Sequence, residues 1–269
     1  MKVVLFCGGF GMRIREYSEN IPKPMVPIGY RPVLWHVMKY YAHYGHTEFI
    51  LCLGHGADVV KDYFLNYSEC ASNDFVMSQG GKKLDLINTD IQDWRITFAD
   101  TGTNANIAQR LIAVKKYLGN DQEFIANYSD GLTDLPLPDQ LAHFRQMKAV
   151  GSFVSVAPRL SYHMVTAGEN GVVSGLEEMS RSSLRINGGY MLFTAAIFDF
   201  MQPGEELVQE PFQRLIKEQK LVGYRYDGFW ASMDTFKDKQ VLDEMYAKDR
   251  APWLIWKQSG GHGSDTQKL

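Results

Sequence analysis

KVVLFCGGFGMR, residues 2–13, sets the first constraint on the fold. Residues 2–7 form a short apolar, partly β-branched run that stops at glycines, which reads as a buried strand feeding a loop. Working outward, Pro32 opens a helix whose Val33, Leu34, Val37, Met38 and Tyr41 share one apolar face. FILCLG at 49–54 reads as a second strand, 57–67 as a helix, RITFAD at 95–100 as a strand, 107–117 as a helix, and EFIANYSDG at 123–131 as a strand meeting a loop. Strand and helix alternate, which implies βαβ crossovers. The expected fold is α/β, a Rossmann-like, mostly parallel mixed sheet flanked by helices, with ligands gathered at the carboxyl ends of the strands.

From Gly151 the pattern turns strand-rich: GSFVSVAP, HMVTAG, GVVSGLEE and INGGYMLF, then helices near 211–218 and 235–247. Residues 1–257 are therefore read as a single domain with a part of alternating strands and helices (1–150) and a strand-rich part (151–257). Polar, poorly periodic residues 70–92 read as an inserted arm, and 258–269 as a disordered tail. Composition narrows the classes. With 28 basic and 31 acidic residues and no basic stripe, nucleic acid is not an expected partner. No apolar run reaches the roughly 18 to 20 residues of a membrane span. The opening MKVVLF ends too early at Cys7-Gly8-Gly9 for a signal peptide, and three cysteines show no zinc or disulfide spacing. The expected location is the cytoplasm.

Gly8, Gly9 and Gly11 allow backbone N–H groups to approach a phosphate, and Arg13 adds charge beside them. Lys23 sits between Pro22 and Pro24, which restrict the backbone and suit a phosphate clamp. The run is neither a Walker A sequence nor GxGxxG, so ATP hydrolysis and hydride transfer are disfavoured. The seven histidines lack metal-site spacing, and His36 reads as a packing residue.

GGFGMR followed by PKPM resembles the sugar-phosphate nucleotidyltransferases. The remaining motifs are most similar to the glucose-1-phosphate cytidylyltransferases: VLWHVMKYY, FILCLGH, KDYFLNY, DTG with Arg110 eight residues after its glycine, INGG, GFW-x-x-MDT-x-x-DK and APW-x-x-W. The resemblance runs from Met1 to about Trp256. It implies a magnesium-dependent enzyme that condenses a nucleoside triphosphate, CTP, with a sugar 1-phosphate such as glucose 1-phosphate, releasing pyrophosphate. Asp130 and Asp234 are the implied Mg2+ ligands, which suits a metal that takes one or two carboxylates and fills its other positions with phosphate oxygens and water. Arg13 and Lys23 are the implied catalytic residues, stabilising charge in an in-line displacement. Gln109 and Arg110 join the glycines and the two basic residues in nucleotide binding. Tyr162, His163, Glu178, Asn187, Gly188 and Trp230 are expected around the acceptor. The arm resembles a segment that joins subunits, which implies a homo-oligomer.

Four departures weaken the substrate assignment. Met12 replaces a threonine of the glycine loop. Ala108-Gln109-Arg110 stands where the family has Gly-Gly-Arg, and an amide reads uracil as readily as cytosine, leaving UTP as an alternative. Ser161-Tyr162-His163 replaces an Arg-Phe/Tyr-Gly stretch, and Glu178-Met179-Ser180 lacks a lysine that holds the sugar phosphate. Arg181 and Arg185 are the candidates to compensate. A different phosphorylated acceptor, or a non-catalytic regulatory homologue, are the other readings.

Overall fold

A computed structural model describes residues 1–9, 21–158, 162–179 and 182–258. Gly11, Met12, Arg13, Ser161, Arg181 and the expected tail from Ser259 lie outside the described residues. The central eight-stranded sheet comprises β1 (Val3–Phe6), β2 (Glu48–Leu53), β3 (Arg95–Asp100), β4 (Glu123–Asn127), β5 (Gly151–Val156), β6 (Ile186–Asn187), β7 (Met191–Thr194) and β8 (Leu221–Arg225). β1 lies between β2 and β4 and runs parallel to both, with Val3 opposite Phe49 on one side and Ile125 on the other. β3 extends the parallel set beyond β2. On the opposite side, β7 is antiparallel to both β4 and β5. β5 then pairs with β8 in parallel along its other edge. The two halves of the chain thus share one sheet, the expected α/β architecture.

Position in the sheet explains the opening run. Every residue of β1 is buried, because the strand is covered on both faces. Val3, Leu5 and Cys7 pack into a core with α1 (Val33–His43), α2 (Ala57–Leu65), α4 (Leu137–Gln146) and α6 (Phe236–Ala247). Val4 and Phe6 face the opposite core, built with α3 (Ile107–Leu118) and α5 (Glu210–Lys217). Burial of each such Val, Leu or Phe contributes about 1.5–3 kcal/mol. Pro32 precedes α1 as its N-cap rather than its first residue, with extended backbone (φ −67°, ψ 155°).

One expected strand is interrupted, and another meets its loop as expected. INGGYMLF forms β6 and β7 separated at Gly188–Tyr190, because Gly189 (φ 73°) and Tyr190 (φ 49°) turn the chain through the left-handed region. EFIANYSDG stops at Asn127, and Ser129 (φ 67°) turns it before a second short strand, Gly131–Thr133. The arm carries a hairpin of Phe75–Ser78 against Lys83–Leu86. Its base is tied to the body where the buried Asp90 accepts hydrogen bonds from Tyr67 (2.8 Å) and Ser72 (2.5 Å) and lies 3.5 Å from Arg31. Among the described residues no helix is long and apolar enough to cross a membrane.

Candidate active site

Three distant segments converge on one cation. Lys23 begins a short 3-10 turn, Lys23–Met25, closed by Met25 N–H donating to Pro22 (2.7 Å). Its Nζ lies 2.6 Å from Asp130 Oδ2 and 2.7 Å from Asp234 Oδ1. Asp130 follows β4 and the strained Ser129, whose hydroxyl donates to the Phe6 carbonyl (2.8 Å) and ties this turn to the end of β1. Asp234 is brought alongside by a two-stranded ladder: Gly131–Thr133 pairs antiparallel with Trp230–Ser232, setting Gly131 opposite Ser232. The Met233 N–H donating to the Asp130 carbonyl (3.0 Å) extends that ladder by one bond. Immediately after, Thr235 caps α6 in a reciprocal box with Asp238, which stops the chain and leaves Asp234 at the helix entrance.

The electrostatics of the cluster follow from its partial burial. For Lys23, burial opposes the ammonium, but Asp130 and then Asp234 outweigh it and the pKa rises above 10.5. Burial pushes the Asp130 carboxyl up from its ordinary value, and Lys23 partly offsets this. Two carboxylates therefore already converge on one positive charge. Hard oxygen donors in that arrangement suit a magnesium ion completed by phosphate oxygens and water. No group of three or more His, Cys, Asp or Glu among the described residues forms a closed metal cage.

Beside the cluster opens a cleft of about 1060 Å3 at the carboxyl ends of β1 and β4. Gly8, Gly9, Asp130 and Asp234 line it, as do Tyr162, Asn187, Gly188 and Trp230 from the expected acceptor side. Trp230 Nε1 donates to the Gly188 carbonyl (2.8 Å), which fixes the indole as part of the wall. His163 and Glu178 are instead cross-strand neighbours in the hairpin of His163–Ala167 and Val173–Glu178, outside the cleft lining.

The two residues expected at the nucleotide base stand differently. Gln109 is exposed, and its Oε1 accepts from Asn106 N–H (2.8 Å) while its own N–H donates to Asn106 Oδ1 (2.9 Å), a capping box at the start of α3. Arg110 lines the cleft but is buried, and its guanidinium donates to the carbonyls of Leu53 (3.1 Å) and Gly8 (2.9 Å) and the hydroxyl of Thr101 (2.7 Å). It ties the ends of β1 and β2 to the loop after β3. Of the residues that sequence reasoning did not select, Asn106, Tyr128, Glu206 and Lys237 also line the cleft. Tyr128 adjoins Ser129-Asp130 and was within reach of the motif. Glu206, in a loop between elements, carries no local signal.

The nucleotidyl transferase family model matches residues 2–243, nearly the whole described chain. The chain belongs to this family. A "Probable glucose-1-phosphate cytidylyltransferase" of Bacillus subtilis (strain 168) is 34% identical over 258 residues, covering 95% of this chain and 100% of that protein. The glucose-1-phosphate cytidylyltransferase of Salmonella typhimurium (strain LT2) is 31% identical over 257 residues, again 95% and 100% of the two chains. Among solved structures, a UDP-glucose pyrophosphorylase complexed with UDP-glucose superposes with a TM-score of 0.68 at 17% identity, covering 93% of this nucleotidyltransferase and 99% of that chain. At that identity the likeness is one of fold.

Proposed function

We propose that this nucleotidyltransferase condenses CTP with a sugar 1-phosphate, glucose 1-phosphate or a related acceptor, to give a CDP-sugar and pyrophosphate. The observation that carries the reading is Lys23 bridging Asp130 and Asp234 beside a cleft lined by these two aspartates and by the glycines that follow β1. The similarity to two cytidylyltransferases across their full lengths supports the choice of base and acceptor.

In the proposed reaction an acceptor phosphate oxygen forms a bond to the α-phosphorus, and the bond from that phosphorus to the bridging oxygen breaks, releasing pyrophosphate. A sugar phosphate is an anion near neutral pH, so no side chain needs to remove a proton from it. Asp130 and Asp234 would hold Mg2+, which when bound supplies positive charge against the triphosphate. Lys23, poised on the same carboxylates, and Arg13 from the glycine loop would stabilise charge on the phosphates as it shifts towards the leaving group. Asn187, Gly188, Tyr162 and Trp230 would enclose the sugar, since a planar indole wall and nearby amide and carbonyl groups suit a ring with hydroxyls. His163 and Glu178, on the hairpin beside Tyr162, would act at the edge of that site.

We read residues 1–257 as one domain, because strands of both halves share the sheet. The arm exposes Val76, Met77, Leu84 and Ile87, which supports a homo-oligomer in which another copy covers it. The cytoplasm, where CTP is available, is its proposed location. Pyrophosphate release, screened with CTP, UTP, GTP, ATP and dTTP against a panel of sugar 1-phosphates, tests the substrate pair. CTP with a hexose 1-phosphate is expected to give the fastest release. Preference for another base would refute the cytidylyl assignment.

A further inference from the structure

Among the described residues the cleft is poor in uncommitted positive charge. Its described lining carries four carboxylates, Asp130, Glu206, Asp234 and Asp238, against two cationic side chains, Arg110 and Lys237. Arg110 is engaged by the Leu53 and Gly8 carbonyls and by Thr101. Lys23, behind the lining, bridges the two aspartates. Arg185, a candidate from its place in the sequence to meet an acceptor phosphate, is held elsewhere. Its guanidinium donates to Ser155 Oγ (3.1 Å), the Tyr226 carbonyl (2.6 Å) and Asp227 Oδ1 (2.6 Å).

Lys237 differs from all of these. It is exposed at the cleft wall and makes no hydrogen bond or ion pair with any described residue. It is also the second residue of α6, three positions after Asp234. Unpaired N–H groups make that end of a helix positive, so a lysine there is opposed by the helix unless an anion lies between them. Asp238 does not serve, because it accepts from Thr235 N–H (2.8 Å) and Thr235 Oγ1 (2.8 Å) within the cap. A doubly charged phosphate in the cleft would satisfy the lysine and the helix end together.

We infer that Lys237 binds the phosphate of the acceptor and sets the preference for phosphorylated over free sugars. The inference rests on the condensation reading above. It also gives a counterpart to the lysine that Met179 replaces: Met179 follows the hairpin strand Val173–Glu178 outside the cleft lining, whereas Lys237 lines the cleft from α6.

The test uses the full chain with Lys237→Met and Lys237→Arg. Calorimetric titration with glucose 1-phosphate and with glucose measures binding without turnover, and steady-state kinetics give KM for glucose 1-phosphate and for CTP. Lys237→Met is expected to weaken glucose 1-phosphate binding, and raise its KM, by about tenfold or more. Glucose binding and the CTP KM should stay within about twofold, and Lys237→Arg should recover most of the loss, a pattern that a merely structural role of α6 does not give. Unchanged glucose 1-phosphate affinity in Lys237→Met overturns the assignment, as does a wild-type chain that fails to bind this acceptor. A rise in the CTP KM alone moves Lys237 to the triphosphate and overturns it too. If the wild type binds glucose 1-phosphate through Lys237 yet releases no pyrophosphate with any triphosphate, the assignment stands and the condensation reading fails.

Discussion

Gly8 and Arg110 constrain each other. A Cβ added to Gly8 would lie 2.2 Å from Arg110 Nη1, so even a methyl group forces the buried guanidinium off its carbonyl partners. Gly8→Ala is expected to lower stability by roughly 1–3 kcal/mol, and Arg110→Met by about 2–4 kcal/mol, because it leaves the Gly8 and Leu53 carbonyls without this donor. Urea denaturation measures both. An Arg110→Met chain with wild-type stability and only a raised CTP KM would show instead that the arginine serves the nucleotide directly. The pair also marks what was legible residue by residue. Lys23 is legible from the prolines on either side of it, Asp130 and Asp234 are implied by the family resemblance of the motifs that hold them, and the structure brings these three together. Gln109 and Arg110 are implied only by residue type at a family position, and type alone does not reveal that one caps a helix while the other clamps three loops.

At the scale of elements, α1 shows how burial sets a pH limit on stability. His36 lies among Trp35, Tyr246, Trp253 and Trp256, with Nε2–H donating to the Ile28 carbonyl (3.0 Å) and Nδ1 without a partner among the described residues. Burial, only partly offset by the Ile28 contact, lowers its pKa from 6.5 to about 4. The unfolded imidazole takes up a proton as pH falls through 6.5, whereas the folded one resists until about pH 4. Stability is therefore lost across that window. Relative to pH 7, His36 is expected to remove roughly 2–3 kcal/mol at pH 4.5, and His36→Gln should flatten this part of the urea-midpoint profile. An unaltered acid slope in the variant would exclude His36 as its source.

The same scale explains the elements that sequence reading caught and those it did not. β1, β2 and α1 carry near-continuous apolar runs because both faces or one broad face are buried. α4, LPDQLAHFRQ, buries only Leu137, Gln140 and Phe144, too sparse a stripe to stand out. The ladder of Gly131–Thr133 and Trp230–Ser232, which positions both aspartates, pairs segments almost a hundred residues apart, and no local pattern encodes such a partner.

For the whole molecule, the mixed sheet is what makes one site from two halves. β7 returns between β4 and β5, so Asn187 and Gly188, just before it and proposed to meet the acceptor, come beside the turn that bears Asp130. The alternation of strands and helices announced the parallel half. The antiparallel insertion was not legible, because β6 and β7 read as one strand until the glycine turn breaks them. The arm projects from this body with Val76, Met77 and Ile87 between 53% and 67% exposed. Replacing the three by serine is expected to lower the oligomeric state measured by light scattering while leaving far-ultraviolet circular dichroism unchanged. A wild-type chain already monomeric at micromolar concentration would contradict the proposed oligomer.

The central claim is nucleotidyl transfer at Lys23, Asp130 and Asp234. Its most direct test is pyrophosphate release from CTP with glucose 1-phosphate and Mg2+, run with the wild type and Asp234→Asn, with the nucleotide product identified by phosphorus NMR. The wild type should release one pyrophosphate per CDP-sugar formed, and Asp234→Asn should lose about a hundredfold or more in rate while remaining folded. Undiminished release by Asp234→Asn would contradict the claim.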